Sequence, residues 1–297
     1  MIRRGLLAVL LVAGCTTGPQ NPDRAGLLFA LLGDAPYSQP HANLLDGIID
    51  EINRARPAFV VHLGDITGGD GPCTDEWLEA RAKQFARVDA PFVLIPGDNE
   101  WTDCHRTGFD PLERLAKVRQ LFHSSASPLP GFTRQSAAYP EHVRWTSGEA
   151  LFVGLNVPGS NNNLGRTPEM DAEHAARMRA VLAWLDDAVN LAAAAPVRVL
   201  VVMMQANPDF EGRPRASGLP DGYAALRAAL HAGALKLGKP LLLAHGDTHR
   251  FRHDRPITGA PNLVRIEVDG WPWLGWLKVR LSGDPDEPVT VERFLSR

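Results

Sequence analysis

The chain has 297 residues, of which 44% are hydrophobic, with 27 glycines, 24 prolines and a formal net charge of −3. That length buries a large core, as one big α/β domain or two small ones. The near-neutral charge excludes both a basic nucleic-acid footprint and an acidic tail.

The first fifteen residues, "MIRRGLLAVLLVAGC", carry two arginines and then an apolar stretch from Leu6 to Ala13. This is too short for an ordinary transmembrane helix and reads as a bacterial export signal. "VAGC" resembles a lipobox, which makes residues 1–14 a lipoprotein signal peptide and Cys15 the lipidated residue. Residues 15–25, "CTTGPQNPDRA", read as a polar tether. The chain is therefore expected in the periplasm, anchored by lipid on Cys15 and leaning toward the outer membrane, because Thr16 rather than Asp follows the cysteine. In that oxidising compartment a disulfide between Cys73 and Cys104 is plausible, since both follow acidic strand-end motifs.

From residue 26 to 297 one domain is expected. Apolar runs recur at 27–37, 58–70, 91–100, 150–163, 197–210 and 240–251, and most end in a polar motif. They are nearly continuous rather than alternating, as strands buried on both faces are. Helical spacing fills 41–55, 75–89, 111–122, 168–195 and 221–236, with Pro111 at a first turn and Pro196 as a stop. "NLVRIEVDG" and "WLKVRLSG" read as strands with a turn at Asp269-Gly270. Trp271, Trp273 and Trp276 are expected to pack a hairpin there. The alternation predicts an α/β sandwich with its site at the carboxyl edges of the strands.

Four runs end in Gly-Asp: Gly33-Asp34, Gly64-Asp65, Gly97-Asp98 and Gly246-Asp247, the last followed by Thr248-His249. One such pair is a turn. Four at strand ends gather carboxylates that repel one another, and a folded chain must then supply a cation or shared protons.

The order of these motifs, "GDAPY", "GDITGGD", "PGDNEW", "MMQANP" and "HGDTH", resembles the calcineurin-like metallophosphoesterase superfamily, the group that includes purple acid phosphatases, over most of residues 27–251. The resemblance implies a four-layer α-β-β-α sandwich of two mixed sheets flanked by helices, with a metal site at strand ends. It places metal ligands at Asp34, Asp65 (as the bridging group), Asp98, Gln205, Asp247 and His249. It also implies a metal-dependent hydrolase of phosphate mono- or diesters, acting through metal-activated water on a small phosphorylated substrate. The departures share a direction. Gln205 and Asp247 stand where the pattern has histidine, so nitrogen ligands are traded for oxygen; Asp98 replaces asparagine with another oxygen donor, and Pro36, also in a histidine's place, points to one metal position being weak or absent. Such a set favours one or two divalent ions of the Mn, Mg or Ca kind over Zn or Fe. Tyr37 is read as a buried structural residue that could instead supply an oxygen.

Asn99 occupies the place of the pattern's catalytic histidine. It can donate a hydrogen bond but gives up no proton at neutral pH. His62, His105 and His245 are the candidate replacements. Of these, His62 is read as a core residue, and His245, directly before the Gly-Asp, is taken as the catalytic partner. Glu100 and Asp103 read as solvated loop carboxylates and Trp101 as a lid. Asn156, in "NVPGSNNN", and Arg250 are the candidate substrate-binding residues. The alternative is a catalytically weak or inactive protein on the same fold that binds metal or a phosphoryl ligand, and the sequence leaves the oligomeric state open.

Overall fold

The computed structural model describes residues 26–125, 127–212, 218–282, 284 and 287–296. The export signal, the tether to residue 25 and Cys15 lie outside the described residues. Two sheets face each other. The first has the order β12-β11-β1-β2-β3 and the second β4-β5-β6-β7-β8-β10-β9. In the first, β1 (Leu28–Leu32), β2 (Val60–His62) and β3 (Phe92–Leu94) are parallel, while β11 (Gly275–Leu281) and β12 (Val289–Leu295) extend it antiparallel. In the second, β6 (Ala150–Gly154), β7 (Val199–Met203), β8 (Leu241–His245) and β10 (Leu263–Glu267) are parallel. The antiparallel strands β5 (Val143–Ser147) and β4 (Thr133–Arg134) extend it on one side to the β4 edge, and β9 (Arg252–Asp254) is the other edge.

Strand alternation sorts the core into three layers. Phe29 and Leu31 of β1 point between the sheets, beside Phe59, Phe152, Val201 and Ile266. Ala30 and Leu32 point the other way, onto α1 (Gln39–Ala55), α2 (Asp75–Phe85) and α3 (Pro111–Phe122). Leu200 and Val202 of β7 pack outward under α5 (Pro168–Ala194) and α6 (Ala224–Leu237). The result is the expected four-layer α-β-β-α sandwich.

Local chemistry fixes the helices. In α1, Leu45, Ile48, Ile49 and Ile52 share one buried face, each contributing roughly 1.5–3 kcal/mol of gross transfer energy. Helix α3 starts where the Asp110 carboxylate accepts from the N–H groups of Leu112 (2.8 Å) and Glu113 (2.9 Å), with Pro111 behind it. Thr167 caps α5 in the same way, and Pro168 is its first residue. The short helix α4 (Gly159–Asn162) lies between β6 and α5.

The expected C-terminal hairpin is not formed. β10 belongs to the seven-stranded sheet and β11 to the five-stranded one, so the Asp269-Gly270 turn carries the chain between sheets. β11 pairs instead with β12 and β1. Of Trp271, Trp273 and Trp276 only the last is buried, stacked on Phe294 with ring centroids 4.6 Å apart; the other two are exposed.

Candidate metal centre

Strands β2 and β3 are three residues each, shorter than the apolar runs that announce them. They stop where the motifs begin. Asp34 (φ 50°), Asp65 (φ 60°), Asp247 (φ 82°) and His249 (φ 59°) all adopt left-handed backbone. For a residue with a Cβ each such conformation costs on the order of 1 kcal/mol or more, and it persists only where the surroundings impose it. At these positions it aims the side chains into one volume. Glycine is required beside them: a Cβ on Gly97 would sit 2.1 Å from Asp65 Oδ1, and one on Gly246 would sit 2.3 Å from Asp34 Oδ2.

The Asp247 N–H donates to both Asp34 oxygens, at 3.1 and 2.9 Å, and Asp247 Oδ2 accepts from the Asn207 N–H at 2.8 Å. Asp65 Oδ1 accepts from the Asn99 N–H at 3.1 Å. Asp65 Oδ2 accepts from the Tyr37 hydroxyl at 3.0 Å and the Gln205 amide at 3.2 Å. The Tyr37 hydroxyl also stands 2.9 Å from His249 Nε2. The Ser160 hydroxyl lies 2.7 Å from both Asp98 Oδ2 and Asp103 Oδ2. One hydroxyl has one proton, so it serves one carboxylate at a time, and Asp103 is pushed up to about 6, first by burial and then by Asp98, while the Ser160 contact draws it down.

The structure thus brings Asp34, Asp65, Asp98, Asp247 and His249 together. Burial raises the carboxyl values of Asp34, Asp65 and Asp98, and mutual repulsion adds to it: Asp247 acts on Asp34 and on Asp98, while Asp98 and Asp34 act on Asp65. Among the described residues no lysine or arginine pairs with Asp34, Asp65 or Asp98. Arg106 stops at Asp103, 2.9 Å away. Nor, among the described residues, do three His, Cys, Asp or Glu side chains already stand in a cation-coordinating arrangement. The donor chemistry nonetheless fits a hard cation. Asp34, Asp98 and Asp247 form an oxygen-only cluster whose repulsion a cation would relieve.

Other expected site residues fall elsewhere. Gln205 is not a ligand in this arrangement. Its Oε1 accepts from the Gly159 N–H at 2.6 Å, which fixes the amide with its nitrogen toward Asp65. Asn156 does not meet substrate: it is fully buried and gives its amide to Glu141 Oε1 at 3.1 Å. His245 is also fully buried, and burial pushes it down to about 3, so it has no imidazolium proton to give at neutral pH. His62 is a core residue on the helix side of its strand, 4.9 Å from the Phe85 ring between centroids, and burial holds it near 4. His105 lies on the exposed rim, with Nδ1 2.8 Å from Thr102 O. Arg250 is exposed beside His249.

Glu100 reverses the reading of a solvated carboxylate. Fully buried, it accepts from the Gly97 N–H at 2.7 Å and the Asp65 N–H at 3.1 Å, so it ties the second and third motifs together. Asp103 is buried as well. Trp101 is buried rather than a solvent-facing lid, with Arg177 5.4 Å from its ring centroid. Asn99 gives its side-chain amide to Thr67 O at 3.0 Å. A disulfide joins Cys73 and Cys104, and the two sulfurs lie 3.5 and 3.3 Å from Asn99 O. Disulfide sulfurs carry no proton, so these are packing contacts that immobilise the third motif. Ser160, Arg106 and Asn207 were not singled out from the sequence. The only signal for Ser160 was the turn-rich "PGSNNN" directly after a strand.

The family model for the calcineurin-like phosphoesterase matches residues 28–251. The chain belongs to that family of metal-dependent phosphoesterases. Among solved structures it is similar to a dimetal phosphatase from Danio rerio, at 13% identity with a TM-score of 0.59, covering 91% of this chain and 99% of that one. It is also similar to PhoD, at 14% identity and a TM-score of 0.55, covering 90% of this chain and 68% of that one. Both likenesses concern the fold. No curated protein matches the chain by sequence.

Proposed function

We propose that the chain hydrolyses phosphate esters at this centre with the help of a hard divalent cation held by Asp34, Asp98 and Asp247. The carrying observation is the buried cluster of mutually repelling carboxylates with no arginine or lysine paired to Asp34, Asp65 or Asp98 among the described residues. When bound, such a cation polarises a phosphoryl oxygen and makes a water acidic enough to attack at neutral pH.

The chain's own residues supply the rest. Glu100 and the disulfide hold the third motif rigid. Asn99, fixed by Thr67 and by Asp65, presents an amide rather than an acid. Arg106, exposed at the rim between Asp103 and the Ser160 hydroxyl (3.4 Å), is the cation best placed to meet substrate phosphate oxygens. None of the histidines considered as the general acid fills that role, because His62 and His245 are neutral and enclosed and His105 sits outside the cluster. The leaving oxygen then departs without a dedicated proton donor.

The Cys73–Cys104 bond supports export to an oxidising compartment such as the periplasm, where attachment through Cys15 is part of the same proposal. The second reading, a metal- or phosphoryl-ligand-binding protein with little turnover, is favoured by one observation: Asp65 Oδ2 is already engaged by Tyr37 and Gln205. One experiment separates the two. The chelator-treated chain is assayed on an aryl phosphodiester with and without Mn²⁺, beside Asp98→Ala. Mn²⁺-dependent hydrolysis lost in the variant supports the enzyme. Mn²⁺ binding without hydrolysis supports the binding protein.

A further inference from the structure

We infer that the Tyr37 hydroxyl fills the place of a cation between Asp65 and His249, so that the centre takes one divalent ion rather than two. The carboxylate oxygen Asp65 Oδ2 and the imidazole nitrogen His249 Nε2 converge on a single point, at 3.0 and 2.9 Å, and that point is the phenol oxygen. A carboxylate and an imidazole aimed at one point form a pair of cation ligands. Here a hydroxyl serves both, donating its one proton to Asp65 and accepting from the His249 Nε2–H.

The hydroxyl is not loosely placed. The Tyr37 ring meets His249 edge-on, 5.4 Å between centroids at 72°, and runs nearly parallel to Trp271, at 6.5 Å and 8°. The Tyr37 N–H donates to His41 Nδ1 at 3.2 Å. Gly68 flanks the side chain closely enough that an added Cβ would stand 3.4 Å from Tyr37 Cβ. The second donor on Asp65 Oδ2, the Gln205 amide, is itself locked by Gly159, so the two lone pairs of that oxygen are both used. Asp65 therefore has no lone pair left on Oδ2 for a second ion.

The inference rests on the cation reading above but is tested apart from catalysis. Mn²⁺ bound per chain is counted by equilibrium dialysis and elemental analysis, for the full wild-type chain and for Tyr37→Phe. The phenylalanine keeps the ring packing and removes only the oxygen. One ion in the wild type and two in Tyr37→Phe are expected, with the second ion giving an exchange-coupled pair in the electron paramagnetic resonance spectrum. Two ions in the wild type, or equal counts in both proteins, would overturn it. A count that rises by one in Tyr37→Phe without any ester hydrolysis would leave the tyrosine's role standing and remove the phosphoesterase reading.

Discussion

The N–H of Asp247 donates to both carboxylate oxygens of Asp34 across 213 residues of sequence. That contact joins the end of β1 in one sheet to the end of β8 in the other. Gly246 makes it possible, because any Cβ there would collide with Asp34 Oδ2. Gly246→Ala should separate the two tips. Mn²⁺ affinity, read by calorimetry, should fall about 10–100-fold, as it does when groups that orient ligands are removed. Unchanged affinity in a folded variant would mean that the two carboxylates act independently.

Glu100 accepts two buried backbone N–H groups, one from each neighbouring motif. Glu100→Ala leaves both donors unsatisfied, at about 1–3 kcal/mol each. Chemical denaturation should show a large loss of stability, and any folded fraction should bind Mn²⁺ weakly. Glu100→Gln retains only one amide oxygen for the two donors and should fall between the wild type and the alanine variant.

With Asn99 in place of an acid and His245 held neutral, the leaving group must depart unaided. Aryl phosphates with acidic phenols should be cleaved about 10²–10⁴-fold faster than simple alkyl phosphates, the factor a general acid normally contributes. A plot of log kcat against leaving-group pKa should slope steeply. A flat plot would reveal a proton donor among residues assigned no such role here.

The pH dependence has two opposed parts. Burial holds Glu100 and Glu267 up at about 7 and raises Asp34, Asp65 and Asp98. A carboxyl raised in the folded state carries no penalty below its unfolded value near 4, and the penalty grows as pH climbs toward the folded value. Cation binding displaces protons from Asp34 and Asp98, so Mn²⁺ affinity should rise with pH, with proton release visible as a buffer-dependent binding enthalpy. The buried histidines act in reverse. His62, His123 and His142, held at about 4, stay neutral in the folded chain while the unfolded chain takes up protons on them as pH falls below their ordinary value, which favours unfolding. Each then costs about 1.4 kcal/mol one unit below roughly 6.5. The Mn²⁺-loaded chain should therefore melt at a lower temperature near pH 5.5 than near 7.5, and an affinity independent of pH would contradict the carboxylate part.

Much of this centre was legible before the coordinates. The Gly-Asp endings announced Asp34, Asp65, Asp98 and Asp247, because a turn after a buried strand leaves a short polar side chain at the sheet edge. The parallel strands were legible for the same reason, being apolar on both faces. Strands β5 and β12 were not, because they lie at or next to a sheet edge and carry partly exposed, weakly patterned residues. The inner partners were hidden for a different reason. Nothing in "PGDNEW" distinguishes a carboxylate that reaches solvent from one that turns back onto Gly97 and Asp65. Nothing in "MMQANP" says which end of the Gln205 amide faces inward, since the Gly159 N–H that decides it lies 46 residues away. Tyr37 likewise gains its place only when β8 brings His249 beside β2.

The most direct measurement is the anomalous difference density of crystals grown with Mn²⁺. One strong peak ringed by oxygens of Asp34, Asp98 and Asp247 is expected, with the Tyr37 hydroxyl still between Asp65 and His249. Density with no Mn²⁺ peak at these strand ends, or with the ion bound only at a distant surface, would contradict it.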